Sequence, residues 1–108
     1  MNLVNLTPHA LRIVGADGIV VIPISGKEAR VDMDTRVVGR VLKEGVEIPL
    51  LHMEAGEIEG LPEKQEDTMY ITSTLVRLAT PRTDVASPGP PIRDDEGKVI
   101  GAEGLVIN

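Results

Sequence analysis

The chain has 108 residues, of which 17 are acidic and 11 basic, and its formal net charge is −6. It contains no Cys, Phe or Trp, one tyrosine and two histidines. Without cysteine there is no disulfide, thiolate metal site or cysteine nucleophile, and two isolated histidines make a histidine-based metal cage hard to assemble. The negative charge argues against direct nucleic-acid binding, which relies on clustered lysine and arginine.

Length and hydrophobic content predict one β-rich domain that spans residues 1–108. Hydrophobic residues make up 42% of the chain, and domains of roughly 100 to 150 residues are the commonest. The β-branched Val and Ile favour strands. No secretory signal is recognisable, and no apolar run approaches the roughly 20 residues that span a bilayer. Together with the absence of cysteine, this predicts a cytoplasmic location and no membrane partner.

Alternating apolar residues and punctuating glycines predict strands over the first sixty residues. Leu11–Ile13 and Ile19–Ile22 flank Gly15–Gly18, where Asp-Gly supplies the positive φ of a tight hairpin. The same pattern predicts strands at 28–33, 35–42, 46–51 and 57–59, with turns at 43–45 and 54–56 and a break at 60–62.

The second part of the chain mixes strands with one helix. A strand at 69–72 precedes Ser73, which is a candidate N-cap for a helix over 74–79. Four prolines between residues 80 and 91 predict an extended loop with little ladder hydrogen bonding. A turn at 94–97 joins strands at 91–93 and 98–101, and 105–107 predicts a last strand. The resulting fold class is mainly β, a small antiparallel barrel or sandwich of about seven or eight short strands with one short helix.

The segment Asn5-Leu6-Thr7-Pro8-His9 is the first concentrated polar group. The ordinary pKa of a histidine side chain lies near neutrality, so His9 is a candidate acid-base or ligand-binding residue. A turn at the end of a strand explains the same residues, because Asn and Thr side chains bond to nearby backbone and proline fixes φ.

A larger group of hydroxyl and charged side chains lies between residues 70 and 94. The predicted ligand-binding residues are Tyr70, Thr72, Ser73, Thr74, Arg77, Arg82, Asp84 and Arg93, together with His9. Arginines and backbone N–H groups at a helix start suit an anionic ligand. The alternative is that Arg82 pairs with Asp84, and Arg93 with its neighbouring aspartates, as ordinary loop ion pairs. No catalytic residue, metal or cofactor is predicted.

Residues 44–67 form an acidic segment with eight carboxylates and one lysine, a net charge of −7. A catalytic pair is a poor explanation, because Glu57 and Glu59 share one face of a predicted strand, as solvent exposure requires. The segment either docks on a basic partner surface or serves solubility.

Short motifs along nearly the whole chain show a resemblance. They are the Asn5–His9 segment, Ser25-Gly26 with Ala29-Arg30-Val31, Gly60-Leu61-Pro62, Tyr70–Ser73, Arg82-Thr83-Asp84, and Ile92-Arg93-Asp94 with Gly97 and Ile100-Gly101. The chain resembles a family of small proteins from tailed bacteriophages and prophages that begin with Asn-Leu-Thr-Pro-His.

The resemblance implies a phage origin and, with it, a counter-defence role in the host cytoplasm. The leading hypothesis is a non-enzymatic binding protein that sequesters a nucleotide-derived immune signal, with phosphate contacts from the arginines and hydroxyls. The alternative is an acidic inhibitor or virion-associated protein that docks on a basic surface. The predicted partners are a small anionic or nucleotide ligand, a second copy of the chain in a homo-oligomer, or a host protein.

Overall fold

The computed structural model describes all residues from 1 to 108. It is mainly β, and the predicted fold class is confirmed in a sandwich-like form without a closed barrel. The elements are β1 (Asn2–Asn5), β2 (Leu11–Val14), β3 (Ile19–Ile22), β4 (Arg30–Lys43), β5 (Val46–Glu59), β6 (Thr68–Ile71), α1 (Thr74–Leu78), β7 (Val85–Pro88), β8 (Pro91–Arg93), β9 (Val99–Glu103) and β10 (Leu105–Ile107).

The strands form two four-stranded sheets and one long hairpin. The first sheet has the order β1-β6-β7-β10, the second β3-β2-β9-β8, and β4 pairs only with β5. The pairs β1 with β6, β6 with β7 and β2 with β9 are parallel, and the other four are antiparallel. Parallel neighbours need long connections, so these pairings join segments that lie far apart in the sequence.

The three local hairpins lie where turn residues predict them. Gly18 separates β2 from β3, and Glu44 and Gly45, with φ of 52° and 79°, join β4 to β5. Between β8 and β9, the Asp94 side chain accepts hydrogen bonds from the backbone N–H groups of Glu96 and Lys98, both at 2.9 Å. These turns form because the residues tolerate positive φ or bond to their own backbone.

The predicted loop over residues 80–91 is wrong in its second half. Strand β7 pairs with β6 on one side and with β10 on the other, and Val85, Ala86 and Ser87 are buried. Pro88 is compatible with this pairing because it is the last residue of β7. Proline has no N–H to donate to the ladder and is tolerated at the end of a strand. A short apolar run therefore forms a central strand between proline-rich flanks.

The predicted turn at 54–56 is also wrong. Strand β5 continues through these residues to Glu59. Its register with β4 shifts between Val31 and Met33, where the pairing has an irregularity. Gly56 lies against β4, where an added Cβ would be 3.2 Å from the carbonyl oxygen of Asp32. The glycine thus marks a close backbone approach within one long strand.

Two small apolar clusters form the core. The first contains Leu6, Ala29, Tyr70 and Val76, and the second contains Ile13, Ile22 and Ile71. Helix α1 contributes Val76 to the first cluster. It has five residues, and the chain has no helix of the length and apolarity needed to cross a membrane.

The hairpin of β4 and β5 extends beyond the core as an arm, defined as residues 33–55. At its root, Val31 and Ile58 pack against the first apolar cluster, but no residue of the arm itself is buried. The radius of gyration is 17.6 Å, compared with about 13 Å for a typical 100-residue domain. The arm therefore gives the chain an extended shape.

Gly89 packs too closely against the β9–β10 connection to accept a side chain. An added Cβ would collide with the backbone carbonyl of Glu103. We expect Gly89→Ala to lower the free energy of unfolding by about 2 kcal/mol, in the range of other overpacking changes. Gly15→Ala is the control, since its Cβ would be 3.6 Å from the nearest atom. Urea unfolding followed by circular dichroism measures the stability of both variants. Equal stabilities would contradict the close packing of Gly89 against the β9–β10 connection.

Candidate functional site

The Asn5–His9 segment forms a tightly bonded turn between the two four-stranded sheets. The Asn5 side chain donates to the carbonyl oxygens of His9 at 2.8 Å and of Ile22 at 3.2 Å. It accepts from the backbone N–H of Thr7 at 2.9 Å and from the Thr7 hydroxyl at 2.6 Å. The exposed His9 side chain makes no hydrogen bond within the chain. The turn explains the segment, and His9 contributes to it through its backbone.

Most of the predicted hydroxyl side chains around the start of α1 form hydrogen bonds within the chain. Thr72 is fully buried, and its hydroxyl lies within bonding distance of the carbonyl oxygens of Ser73 and Ala86. Ser73 is the N-cap, as predicted, and its side chain accepts from the N–H of Val76 at 3.3 Å. Thr74 is exposed at the first helical position. Thr72 and Ser73 therefore serve the fold, whereas the Thr74 hydroxyl makes no hydrogen bond within the chain.

Arg77 is held by β7 of the first sheet and by Asn108. Its Nε donates to Ser87 Oγ at 2.7 Å, and Nη1 donates to Asn108 Oδ1 at 3.2 Å. The Asn108 amide donates in return to the carbonyl oxygens of Arg77, Thr80 and Arg82. The guanidinium therefore anchors the chain end.

Arg82 and Asp84 form a partly buried, two-armed ion pair. Nε donates to Oδ1 at 2.9 Å and Nη2 donates to Oδ2 at 2.7 Å. The exposed fraction of the side chain is 8% for Asp84 and 28% for Arg82. The hydrogen bonds from Arg82 hold the pKa of Asp84 below its ordinary value, against the opposing effect of burial. The predicted alternative for these two residues, an ion pair, is the one the structure contains.

The same arginine joins the pair to the 60–67 segment and to Tyr70. Its Nη1 donates to the carbonyl oxygen of Pro62 at 2.8 Å. The guanidinium carbon lies 5.9 Å from the centre of the Tyr70 ring, within reach of a cation–π interaction. Tyr70 is buried, and its hydroxyl donates to the Glu63 carbonyl oxygen at 3.2 Å. The structure thus brings Tyr70, Arg82 and Asp84 together.

Arg93 does not belong to this group. It lies on β8 in the second sheet, and its Nη1 donates to the carbonyl oxygen of Gly97 at 2.8 Å across the turn. No ion pair with the neighbouring aspartates forms. The predicted single cluster between residues 70 and 94 is therefore divided between the two sheets.

A pocket of about 370 Å³ lies beside Tyr70, between β1, β6 and the loops that follow β3 and β5. Its lining residues are Val4, Leu6, Ser25, Lys27, Pro62, Gln65 and Tyr70. The Lys27 ammonium forms neither an ion pair nor a hydrogen bond within the chain. Sequence patterns miss Lys27 and Gln65, because long-range contacts bring their loops together. Ser25 and Ala29, on either side of Lys27, bond to Asn5 and Leu6, and β6, which follows Gln65, pairs with β1. This volume falls in the range of small-molecule sites.

A second pocket, of about 380 Å³, lies over the other sheet. It is lined by Ala10, Leu11, Arg12, Pro88, Gly89, Pro91, Val99, Ile100, Gly101 and Ala102. Arg12 is its only charged side chain, and Nε of this residue donates to the Ile100 carbonyl oxygen at 3.1 Å. Because its walls are mostly aliphatic, it offers an anion fewer contacts than the Tyr70 pocket.

The acidic segment 44–67 is divided by the fold. Glu47 lies near the tip of the arm, 3.7 Å from Arg40. Glu54 lies near its root, 3.9 Å from Arg36 and 3.0 Å from His52. Asp67 lies 3.4 Å from the N-terminal ammonium group, beyond the arm. Arginines of β4 thus lie between the carboxylates of this segment, so it does not form one continuous acidic surface.

Of the two pockets, the one beside Tyr70 has the more polar lining. Comparisons with protein-family models, with curated proteins and with solved structures find no match to this chain.

Proposed function

We propose that the chain is a non-enzymatic binding protein of phage type, which sequesters a nucleotide-derived immune signal in the Tyr70 pocket. The observation that carries the proposal is the composition of this pocket. A lysine whose ammonium group has no intramolecular partner lines this pocket together with aliphatic side chains and the buried Tyr70. A phosphorylated nucleotide needs both an anion contact and an apolar surface, so the lining matches this class of ligand.

Contacts within the chain hold the walls of the Tyr70 pocket in place. Ser25, on the pocket wall, donates to the Asn5 carbonyl oxygen at 2.7 Å. Tyr70 is fixed by its hydroxyl bond and by the adjacent Arg82. Preformed walls reduce the ordering cost of binding. The proposal gives no residue an acid-base role, because sequestration needs an intact ligand.

Lys27 is expected to supply the main anion contact. In a thermal-shift panel of linear and cyclic nucleotides and ADP-ribose derivatives, a ligand at 100 times its Kd stabilises the native state by about 2.7 kcal/mol. We expect one member of the panel to raise Tm by roughly 10 °C or more. We expect Lys27→Ala to abolish this shift. Lys98→Ala, an exposed lysine on the β8–β9 turn, is the matched control and should retain it.

The outcomes separate the parts of the proposal. Recovery of the unaltered ligand after denaturation supports sequestration, whereas recovery of a modified ligand means an enzyme. A shift that survives Lys27→Ala places the site elsewhere, and the absence of any shift contradicts nucleotide binding. Arg82 is a poor probe here, because its replacement breaks the ion pair with Asp84.

A further inference from the structure

The pocket over the second sheet contains an arginine whose charge has no partner within the chain. Arg12 lines this pocket, and its Nε donates to the Ile100 carbonyl oxygen at 3.1 Å. The two terminal nitrogens of the guanidinium make no hydrogen bond, and the side chain forms no ion pair. A carboxylate pairs with a guanidinium through two parallel hydrogen bonds. Arg12 therefore keeps a pair of donors available for an anionic ligand.

The 88–91 segment supplies three of the lining residues and offers the ligand no backbone donor. Three of its four residues are prolines, which have no N–H. The N–H of Gly89 donates to the Gly104 carbonyl oxygen at 3.0 Å. No aromatic, hydroxyl or acidic side chain lines the pocket. Recognition of a polar group by side chains therefore rests on Arg12.

The rest of the lining is aliphatic. Val99 and Ile100 are large hydrophobic residues with exposed fractions of 49% and 37%, and Leu11 lines the pocket with them. Four of the ten lining residues are Gly or Ala, so small side chains leave the space open. The volume of about 380 Å³ is at the lower end of the range of small-molecule sites, roughly 300 to 1,000 Å³. Exposed apolar surface beside one charged group suits a short amphiphilic ligand.

The single positive charge of the lining distinguishes among anions. A carboxylate carries one negative charge, and its two oxygens match the fork of a guanidinium. A phosphate monoester carries about 1.5 to 2 negative charges at neutral pH, which one arginine leaves partly uncompensated. A nucleotide base is usually gripped by an aromatic ring, and this lining has none. An aliphatic chain that ends in a carboxylate satisfies both the charge and the apolar walls.

We propose that this pocket binds a medium-chain aliphatic monocarboxylate. Its carboxylate accepts from the two terminal nitrogens of Arg12, and its chain packs against Leu11, Val99 and Ile100. Strands β2 and β9 and the 88–91 segment form this site, and it shares no lining residue with the Tyr70 pocket. It is therefore a second binding site, independent of the proposed nucleotide site.

Octanoate is the probe for a titration of the isotope-labelled chain, followed by NMR spectra of its backbone amides. We expect saturable shifts at Gly89 and Gly101, which line the pocket, and none at Gly26 beside the Tyr70 pocket. From butanoate to octanoate, the affinity should rise by up to about fourfold for each methylene that leaves water. Octanol lacks the charge and acetate lacks the chain, so both should bind at least tenfold more weakly. Equal affinity for octanol, or the absence of saturable shifts, would refute the proposal.

Two variants, each with a matched control, test the residues. Arg12→Gln should weaken octanoate binding at least tenfold, whereas Arg93→Gln, an exposed arginine of β8 outside the lining, should leave it unchanged. Val99→Glu places a carboxylate at the pocket and should weaken binding to a similar extent. Val20→Glu, a similarly exposed valine of β3, is its control. Circular dichroism verifies that each variant is folded, and normal binding by folded Arg12→Gln or Val99→Glu would overturn the assignment.

Discussion

Asn5→Ala is expected to lower the free energy of unfolding by about 3 kcal/mol, because several buried or part-buried polar groups lose their partners together. The side chain is 1% exposed and makes four hydrogen bonds. Two of them satisfy the carbonyl oxygens of His9 and Ile22. The Ile22 contact crosses to the second sheet, so the substitution also weakens the join between the sheets. Urea unfolding followed by circular dichroism provides the measurement.

Two variants sharpen this prediction. Asn2→Ala lies on the same strand at an exposed position without side-chain hydrogen bonds, and its stability should change by less than about 0.5 kcal/mol. Asn5→Asp keeps the acceptor atom but places carboxylate oxygens against two carbonyl oxygens. We expect it to be at least as unstable as Asn5→Ala at neutral pH. An Asn5→Ala variant as stable as Asn2→Ala would show that the turn contributes little.

The structural role of Asn5 gives the Asn-Leu-Thr-Pro-His segment a physical explanation. Its side chains fix the end of β1, while the backbone carbonyl of Asn5 accepts from Ser25 and that of Leu6 accepts from Ala29. A turn motif with this many bonds serves the fold whatever the chain binds. The phage origin suggested by the resemblance stays a prediction.

Local chemistry determines how much of the fold is predictable. Asp17-Gly18 and Asp94–Gly97 predict their hairpins because the signal and the structure involve the same few residues. The parallel pairing of β6 with β7 has no such local signal, and prolines around Val85–Pro88 suggest a loop. The strand forms because Tyr70 and Thr72 donate backbone hydrogen bonds to Asp84 and Ala86. Tertiary pairing therefore overrides the local preference of the proline-rich segment.

The candidate site shows the same division. Arg82 and Asp84 are two residues apart, so their ion pair is visible in the sequence. The grouping of Arg93 with them is not supported by the geometry, because a sheet boundary separates residues that are close in sequence. Lys27 and Gln65 cannot be recognised from the sequence, since β1 brings both of them beside Tyr70 through its long-range contacts with the 25–29 segment and with β6. Some hydroxyls that the sequence suggests as ligand contacts bond to the backbone instead, as that of Thr72 does.

Asp84→Asn is expected to destabilise the chain by about 2 to 3 kcal/mol at neutral pH, and this loss should shrink in acid. The substitution keeps the shape of the side chain but leaves Arg82 without its counter-charge. Arg82 is partly exposed, so water moderates the cost relative to a fully buried pair. Since Arg82 also bonds to Pro62, the 60–67 segment beside the Tyr70 pocket should become easier to cleave by protease.

The pH dependence follows from the direction of the pKa change. Hydrogen bonds from Arg82 hold the folded-state pKa of Asp84 below its ordinary value of 3.8. As pH falls, the unfolded chain takes up this proton first, so the contribution of Asp84 is complete above the ordinary value. It disappears as pH falls through the lower, folded-state value. The stability difference between the unmodified chain and Asp84→Asn should therefore be constant near neutrality and narrow below about pH 4.

Denaturant unfolding at a series of pH values measures this difference, and subtraction removes the titration of the other carboxylates. Asp95→Asn is the control, because Asp95 is exposed and has no ion pair. Its difference from the unmodified chain should stay close to zero at every pH. The stability difference between the unmodified chain and Asp84→Asn could also stay the same from neutral pH into acid. Asp84 would then stabilise the chain through packing and not through its charge pair with Arg82. A stability difference that narrows in acid would show that Asp84 stabilises the fold through its charge pair with Arg82.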